Sequence, residues 1–479
     1  MFELPEIRSI LQGFNPWWSG KQISNPYFKR LAFHGCLQLL DTQELKRAIL
    51  LSGPRRVGKT TILLQLAEEY LQRAVPAESI LYLSLDHPFL KIISLPQILK
   101  FYHETIHPEK QPAILLLDEI QYTNDWDLEL KQLIDHHPEY KIVVTGSTVA
   151  LHRAKLAETG VGRWMTVPVP TLNFYEFAKI LGEKDDADFS IPKPNELIKY
   201  SENDLFAIKQ KLRHLMPLFQ RYLLMGGFPE TAIQKDVMLS QRILREDVVE
   251  RVLKRDMTAV FGIRRVAELE KLFIYLCMHS GEIFSARSCA SALEQNSMTI
   301  INHIKFLEQS NLIYRVEQEK LTGKSVLNGK PKIYIVDSAL VNAMLLRGEE
   351  ILNDSKSMGS IVETTVLRHL YAYYYRDTPR IGYWRDSSTN EEVDIIIRSP
   401  AYVIPVEIKY RNQAGIPEKC GLRKFCSAEK ITYGVWVTQQ EDDFDIRTLS
   451  ESETKVLRIP AHIFCYLLGF SERKLWGKK

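Results

Sequence analysis

The sequence predicts an α/β protein. A parallel sheet covered by helices comes first, then three short helices with a β-ribbon, then a second α/β unit. Three observations lead there. Between about 45 and 170, continuous apolar runs alternate with helical patterns, as in strands buried on both faces by crossover helices. A glycine-bounded loop follows the first run and opens a helix. Near the carboxyl end, acidic and basic residues stand inside otherwise apolar strands.

The elements follow in order. Residues 49–51 form a short apolar strand, and an apolar-periodic helix starts at Thr60. Strands are expected at 80–85, 113–117, 142–145 and 165–169. The stretch to about 240 reads as helical, with a polar surface insertion at 185–203 rich in Asp, Pro, Ser and Asn. Leu269, Leu272, Phe273 and Leu276 repeat at helical spacing. Ala286, Ala290 and Leu293 line a second helix, and Ile301, Ile304 and Leu307 a third. Strands at 312–316 and 333–336 flank a polar loop at 320–330, and helix, strands, helix and strand complete the chain.

Composition limits the function classes. Lys and Arg number 62 against 59 Asp and Glu, a net charge of +3, which excludes a globally basic nucleic-acid coat but not a local basic patch. Apolar residues at 45% exclude intrinsic disorder. No run approaches the roughly eighteen apolar residues of a membrane span, and the charged first dozen residues lack a signal core. The six cysteines form no CxxC pair, so zinc ribbons and a disulfide framework are not expected. A cytoplasmic, reduced protein is the expectation.

Gly53, Pro54, Arg55, Arg56, Val57, Gly58, Lys59 and Thr60 match G-x-x-x-x-G-K-[ST] between an apolar strand and a helix. Glycines let backbone N–H groups turn toward a β-phosphate, and the helix N-terminus adds its positive end. Lys59 is placed to meet the β- and γ-phosphates and Thr60, followed by Thr61, to ligate Mg²⁺. ATP and Mg²⁺ are therefore the expected cofactors. Asp118 ends the apolar run at 113–117, as a metal-holding Walker B carboxylate should, and Glu119 beside it can polarise the attacking water. The 80–85 strand between the two Walker strands points to the additional-strand, catalytic-glutamate division of P-loop NTPases. In Thr145, Gly146, Ser147 and Thr148, Ser147 is the expected γ-phosphate sensor. Arg163, after Gly162, is a candidate finger for a neighbour's nucleotide, which implies a homo-oligomer.

These stretches also carry a resemblance. Asn15, Pro16, Trp17 and Trp18, LLSGPRRVGKTT, LLLDEIQY, TGST, the GGFPE run 226–230, IYIVDSAL, YWRD, EVDIII and PVEIKY resemble the bacterial and archaeal AAA-family ATPases that carry a carboxyl-terminal DUF4143 domain. The resemblance spans nearly the whole chain and implies ATP binding.

The pattern at 265–335 is that of a winged helix, whose last helix would enter a DNA major groove. Asn302, His303 and Lys305 would be exposed there, with Lys320, Lys324, Lys330 and Lys332 on the wing for phosphates. DNA is the expected partner, and a membrane is not.

Asp394 in EVDIII is followed by Glu407 and Lys409 in PVEIKY, on one face of a strand. With Glu363 on an earlier helix, this resembles a PD-(D/E)XK nuclease core, although Val393 stands where the motif has its proline. In that chemistry Asp394 and Glu407 bind the metal and Lys409 acts on the attacking water. Trp384, Arg385 and Asp386 are expected to pack and hydrogen-bond around the site, and Cys420 and Cys426 to be ordinary thiols.

The expected domains are thus 1–40, an amino-terminal segment; 41–240, a P-loop ATPase domain with a helical extension; 241–340, a winged helix; and 341–479, a restriction-endonuclease-like α/β domain. The expected function is an ATP-hydrolysing, DNA-acting protein with a Mg-dependent nuclease centre. The alternative is an ATP-switched DNA-binding or scaffold protein whose nuclease-like domain is inactive.

Overall fold

The computed structural model describes residues 4–42, 44, 46–146, 162–184, 193–258, 262, 263, 265–319, 329–412, 415–449 and 453–476. Two compact units divide at Pro170, the second running from Thr171 to Leu475.

The first unit holds a five-stranded, all-parallel sheet: β1 (Ala48–Ser52), β2 (Ile80–Ser84), β3 (Ala113–Asp118), β4 (Tyr140–Gly146) and β5 (Trp164–Pro168), in the order β2-β3-β4-β1-β5. All five expected strands are present. β4 lies between β1 and β3, so the phosphate-loop strand and the Asp118 strand are not neighbours. Leu50, Leu83, Leu115 and Val144 are buried on the sheet, against Leu99 and Leu130 from covering helices.

The amino-terminal segment completes the open side of β2. Asn15 pairs with the Tyr82 backbone as a strand would, its Nδ2 donating to the carbonyl at 3.0 Å and its Oδ1 accepting the N–H at 2.7 Å. Trp17 and Trp18 both donate Nε1–H to the Ile80 carbonyl, at 3.0 and 3.1 Å. An edge strand otherwise exposes such groups.

In the second unit, the expected helices at 265–310 are Val266–Met278, Ala286–Ala292 and Ser297–Gln309. The remaining strands are β6 (Ile313–Glu319), β7 (Lys332–Ile335), β8 (Arg380–Arg385), β9 (Glu392–Arg398), β10 (Val403–Lys409), β11 (Tyr433–Thr438), β12 (Asp445–Thr448) and β13 (Lys455–Pro460). They form one mixed sheet in the order β12-β13-β11-β10-β9-β8-β6-β7. The ribbon β6–β7 is therefore not a free wing. β6 runs parallel to β8 from Glu317 opposite Gly382 to Glu319 opposite Trp384. Gly382 makes this close: a Cβ there would lie 2.7 Å from the Glu319 side chain and 2.9 Å from the Glu317 carbonyl.

The helical stretch expected to extend the ATPase domain packs in the second unit instead. Phe174, Phe177, Phe219 and Tyr222 share a core with Leu367, Ile395, Val406 and Tyr466. Phe174 meets Phe219 edge-on at 5.0 Å and lies 6.2 Å from the Tyr466 ring, and such aromatic contacts account for the docking. No described helix is long and apolar enough to cross a membrane.

Candidate functional site

The phosphate loop turns directly out of β1. Gly53 has no room for a side chain, since a Cβ would fall 2.0 Å from the Val169 carbonyl oxygen. Gly58 takes φ 91° and Arg56 φ 61°, left-handed backbone that glycine adopts without strain and arginine does not. Lys59 opens the helix Lys59–Gln72. Its buried ammonium lies inside the loop, donating to the carbonyls of Gly53 at 2.9 Å and Pro54 at 2.8 Å. Thr61 follows in the same first turn, half-buried, with Arg55 half-buried and Arg56 exposed.

Asp118, buried at the end of β3, gathers three hydroxyls. Thr60 donates at 2.7 Å and Tyr82 at 3.1 Å to one carboxylate oxygen, and Thr145 donates to the other. The Thr145 hydroxyl also accepts the Glu119 N–H at 3.0 Å. Glu119 sits at φ 55°, and its carboxylate accepts from Gln121. One buried hydroxyl thus ties the two acidic residues together. The sequence motif drew attention to Ser147 and Thr148, which lie outside the described residues; Thr145 is where β4 delivers a side chain to this site. Tyr82 and Arg30 were also missed. Arg30, buried at 5% exposure, donates from Nη1 to the Val57 carbonyl at 2.7 Å. No spacing marks either residue, because Tyr82 reaches Asp118 and Arg30 reaches the loop through the fold.

Arg163 lies just before β5, whose Trp164 pairs with Ala48 at the start of β1. The loop follows the other end of β1, so Arg163 is remote from its own chain's loop. Its guanidinium grips Asp135 with two parallel bonds, Nε to Oδ1 at 3.0 Å and Nη2 to Oδ2 at 3.1 Å.

A second cluster lies in the other unit. Asp394 on β9 and Glu407 on β10 are buried at 5% and 3% exposure on adjacent antiparallel strands. Asp394 Oδ2 accepts the Ile408 N–H at 2.8 Å. Lys409 bridges the pair, 2.5 Å from Glu407 Oε1 and 3.7 Å from Asp394 Oδ2. Glu407 Oε2 is buried without a hydrogen-bond partner. Burial, then the neighbouring Asp394, pushes the Glu407 carboxyl up to about 8. Glu363, on the helix Ser355–Tyr373, accepts from the Tyr334 hydroxyl at 2.5 Å, and burial raises its carboxyl too. The structure therefore brings Glu363, Asp394, Glu407 and Lys409 into one region.

Lys332 joins them, which corrects its expected place on an exposed wing. β7 belongs to the sheet, so its first residue points inward. The Lys332 ammonium lies 3.4 Å from Glu363, 3.1 Å from Glu392 and 3.9 Å from Asp394. Burial works against its charge, but these carboxylates and Tyr334 together raise its pKa. His303 is also buried rather than exposed, at 7%, and burial lowers its pKa. Asn302, Lys305 and Lys330 are exposed, while Lys320 and Lys324 lie outside the described residues.

The other predicted stretches have structural work. Trp384 packs its buried ring 5.6 Å from Phe425. Asp386 caps the β8–β9 turn, taking the Ser388 N–H at 2.6 Å and the Lys424 ammonium at 2.6 Å. Cys420 and Cys426 are free thiols. In the GGFPE run, Gly227 donates to Asp337 at 2.9 Å, and a Cβ there would lie 2.5 Å from the Leu172 carbonyl.

Among the described residues, no group of three or more His, Cys, Asp or Glu is arranged to hold a metal ion. Asp394 and Glu407 alone still fit one. Mg²⁺ is often bound by one or two carboxylates with water and substrate phosphate completing its shell, and the unpartnered Glu407 oxygen needs a cation or a proton.

The sheet order and the loop define the class, a P-loop nucleoside triphosphatase with a strand inserted between its two Walker strands. Residues 45–178 match the family model described as an AAA domain, 216–351 a domain of unknown function, DUF8612, and 358–461 another, DUF4143. The chain is an AAA-family ATPase that carries a carboxyl-terminal DUF4143 domain. An uncharacterized protein of Haemophilus influenzae is 23% identical over 391 residues, 80% of this chain and 85% of its own. One of Methanocaldococcus jannaschii is 28% identical over 396 residues, 81% and 79% of the two chains. Among solved structures, the replication initiator DnaA bound to AMPPCP and single-stranded DNA is 17% identical, covering 62% of this chain and 93% of that one, with a TM-score of 0.25. A Saccharomyces cerevisiae Hsp104:casein complex is 16% identical, covering 62% and 52%, with a TM-score of 0.30. The family assignment rests on the family models and not on these low scores.

Proposed function

We propose that this ATPase acts on DNA and that Asp394, Glu407 and Lys409 form a metal-dependent phosphodiester-cleaving centre. On this reading the chain has an ATPase domain, a winged helix whose ribbon is built into the next sheet, and a nuclease-like domain, and it works in the cytoplasm.

At the phosphate loop, the turned-in N–H groups and Lys59 bind the β- and γ-phosphates. Thr60 and Asp118 would hold Mg²⁺, which when bound offsets phosphate charge. Glu119, oriented through its N–H bond to Thr145, takes the proton of the attacking water. Arg163 serves a neighbouring copy's nucleotide, an assignment supported by its distance from its own loop.

The carboxyl-terminal reading is carried by one observation: Glu407 Oε2 is buried and partnerless beside Asp394, with Lys409 on the other Glu407 oxygen. Asp394 and Glu407 would hold the ion, which when bound stabilises charge on a cleaved phosphodiester. Lys409 is placed to orient a water there. Asn302 and Lys305 are exposed for DNA contact, and Lys330 supplies a phosphate-binding cation.

The test is to incubate the full chain with circular and linear DNA, with Mg²⁺ or Mn²⁺, with and without ATP. Metal-dependent cleavage that disappears in Asp394→Ala supports the reading. DNA binding indifferent to metal, with intact DNA throughout, supports the scaffold alternative.

A further inference from the structure

The cluster around Asp394 contains more cationic charge than the expected chemistry needs. Lys409 serves the Glu407 side. Lys332 enters from β7, a strand that belongs in sequence to the preceding three-helix segment, and is almost wholly buried at 2% exposure. It faces Glu363, Glu392 and the Oδ1 side of Asp394, whereas Oδ2 faces Ile408 and Lys409. Asp394 is thus flanked by an ammonium on each side.

Charge counting gives this arrangement a consequence. Glu363, Glu392, Asp394 and Glu407 contribute four negative charges when ionised, and Lys332, Lys409 and Arg385, the last 3.7 Å from Glu392, contribute three positive ones. The remainder is one negative charge, enough to attract one further cation and too little to hold two divalent ions. Sites that clamp both the attacking and leaving oxygens hold two ions about 3.5–4 Å apart, across a shared carboxylate. Here the shared carboxylate is Asp394, and one of its sides is already filled by a fixed side chain.

We propose that Lys332 is a positioning residue that stands in for a second metal ion, so that the site takes a single divalent cation, between Asp394 and Glu407. This rests on the metal-binding reading above and specifies it. Lys332 holds Glu363, Glu392 and Asp394 together by charge without exchanging with solvent ions. It also makes the metal site depend on β7, since the ammonium arrives only when the β6–β7 ribbon is seated in the sheet.

The test counts ions and does not require cleavage. Nucleotide-free full-length protein is titrated with Mn²⁺, and bound ion is read by electron paramagnetic resonance. Wild type is expected to bind about one equivalent, lost in Asp394→Ala, and Lys332→Gln about two, as a vacated two-ion site would. Lys332→Arg keeps the charge and should keep one equivalent. The double variant Lys332→Gln, Glu363→Gln restores the net charge and should return to one. This holds the inference to account if Lys332→Gln alone folds poorly by circular dichroism. One equivalent in a folded Lys332→Gln, or two in Lys332→Arg, would overturn the role of Lys332 while leaving the metal reading intact. No Mn²⁺ bound by wild type or by Lys332→Gln would overturn both. A wild type that already binds two overturns the single-ion inference alone.

Discussion

Thr145→Val tests the coupling between the two acidic residues of the ATPase site. Thr145 is fully buried, and its hydroxyl both donates to Asp118 and accepts the Glu119 N–H. Valine matches the shape and removes both bonds. A hydrogen bond to a charged group contributes about 1.5–3 kcal/mol. If that loss falls on the placement of Glu119 in the transition state, turnover drops roughly ten- to hundredfold, at about 1.4 kcal/mol per tenfold. ATP affinity should change by less than about threefold, because the bonds that seat Lys59 run to the Gly53 and Pro54 carbonyls. Asp118 also keeps Thr60 and Tyr82. Steady-state phosphate release and fluorescent-nucleotide binding measure the two quantities, and Thr145→Ser supplies the hydroxyl again. Wild-type turnover in Thr145→Val, or an equal loss in Thr145→Ser, would refute the reasoning.

Three further outcomes are expected. Arg163→Ala should lower turnover without weakening ATP binding, and wild-type specific activity should climb with protein concentration; a flat concentration profile argues against a finger in trans. Gly227→Ala should cost about 2 kcal/mol or more, because the new Cβ meets the backbone of Leu172 and not a movable side-chain tip, and an unchanged melting midpoint would sink that account. His462 is buried with neither ring nitrogen partnered, and burial lowers its pKa to about 4. Below its ordinary value near 6.5 the unfolded chain takes up a proton that the folded one refuses, so stability falls between about pH 6.5 and 4, by up to about 3 kcal/mol. His462→Leu should flatten that part of the melting-versus-pH curve, and parallel curves for the two proteins would contradict it.

The five parallel strands were legible because burial on both faces leaves continuous apolar runs. The phosphate loop was legible because its chemistry uses backbone, which fixes the spacing of Gly53, Gly58 and Lys59. The Asp394, Glu407 and Lys409 set was visible for a related reason: charges inside apolar strands stand out. Lys332 was misplaced because nothing local reveals that β6 pairs with β8, a strand more than 60 residues further along the chain. Arg30, Tyr82 and Thr145 likewise act through partners distant in sequence. The helices after Thr171 carry an apolar pattern that announces burial but not which core receives it. His303 looked exposed on a helical wheel, yet packing covers that face.

The bonds from Asn15, Trp17 and Trp18 to β2 have a consequence for how copies of this chain can associate. A bare parallel edge is a template on which a second chain can add a strand, and here the template is already read by side chains. Assembly by growing the sheet at β2 is closed, so copies that meet on that side must do so through helices and loops. The guard is synthesised before the strand it guards, so β2 never emerges without it. A chain cut behind Trp18 would keep every residue of the phosphate loop and lose this protection. Light scattering at rising concentration should then show it sticking to itself where the full chain stays dispersed.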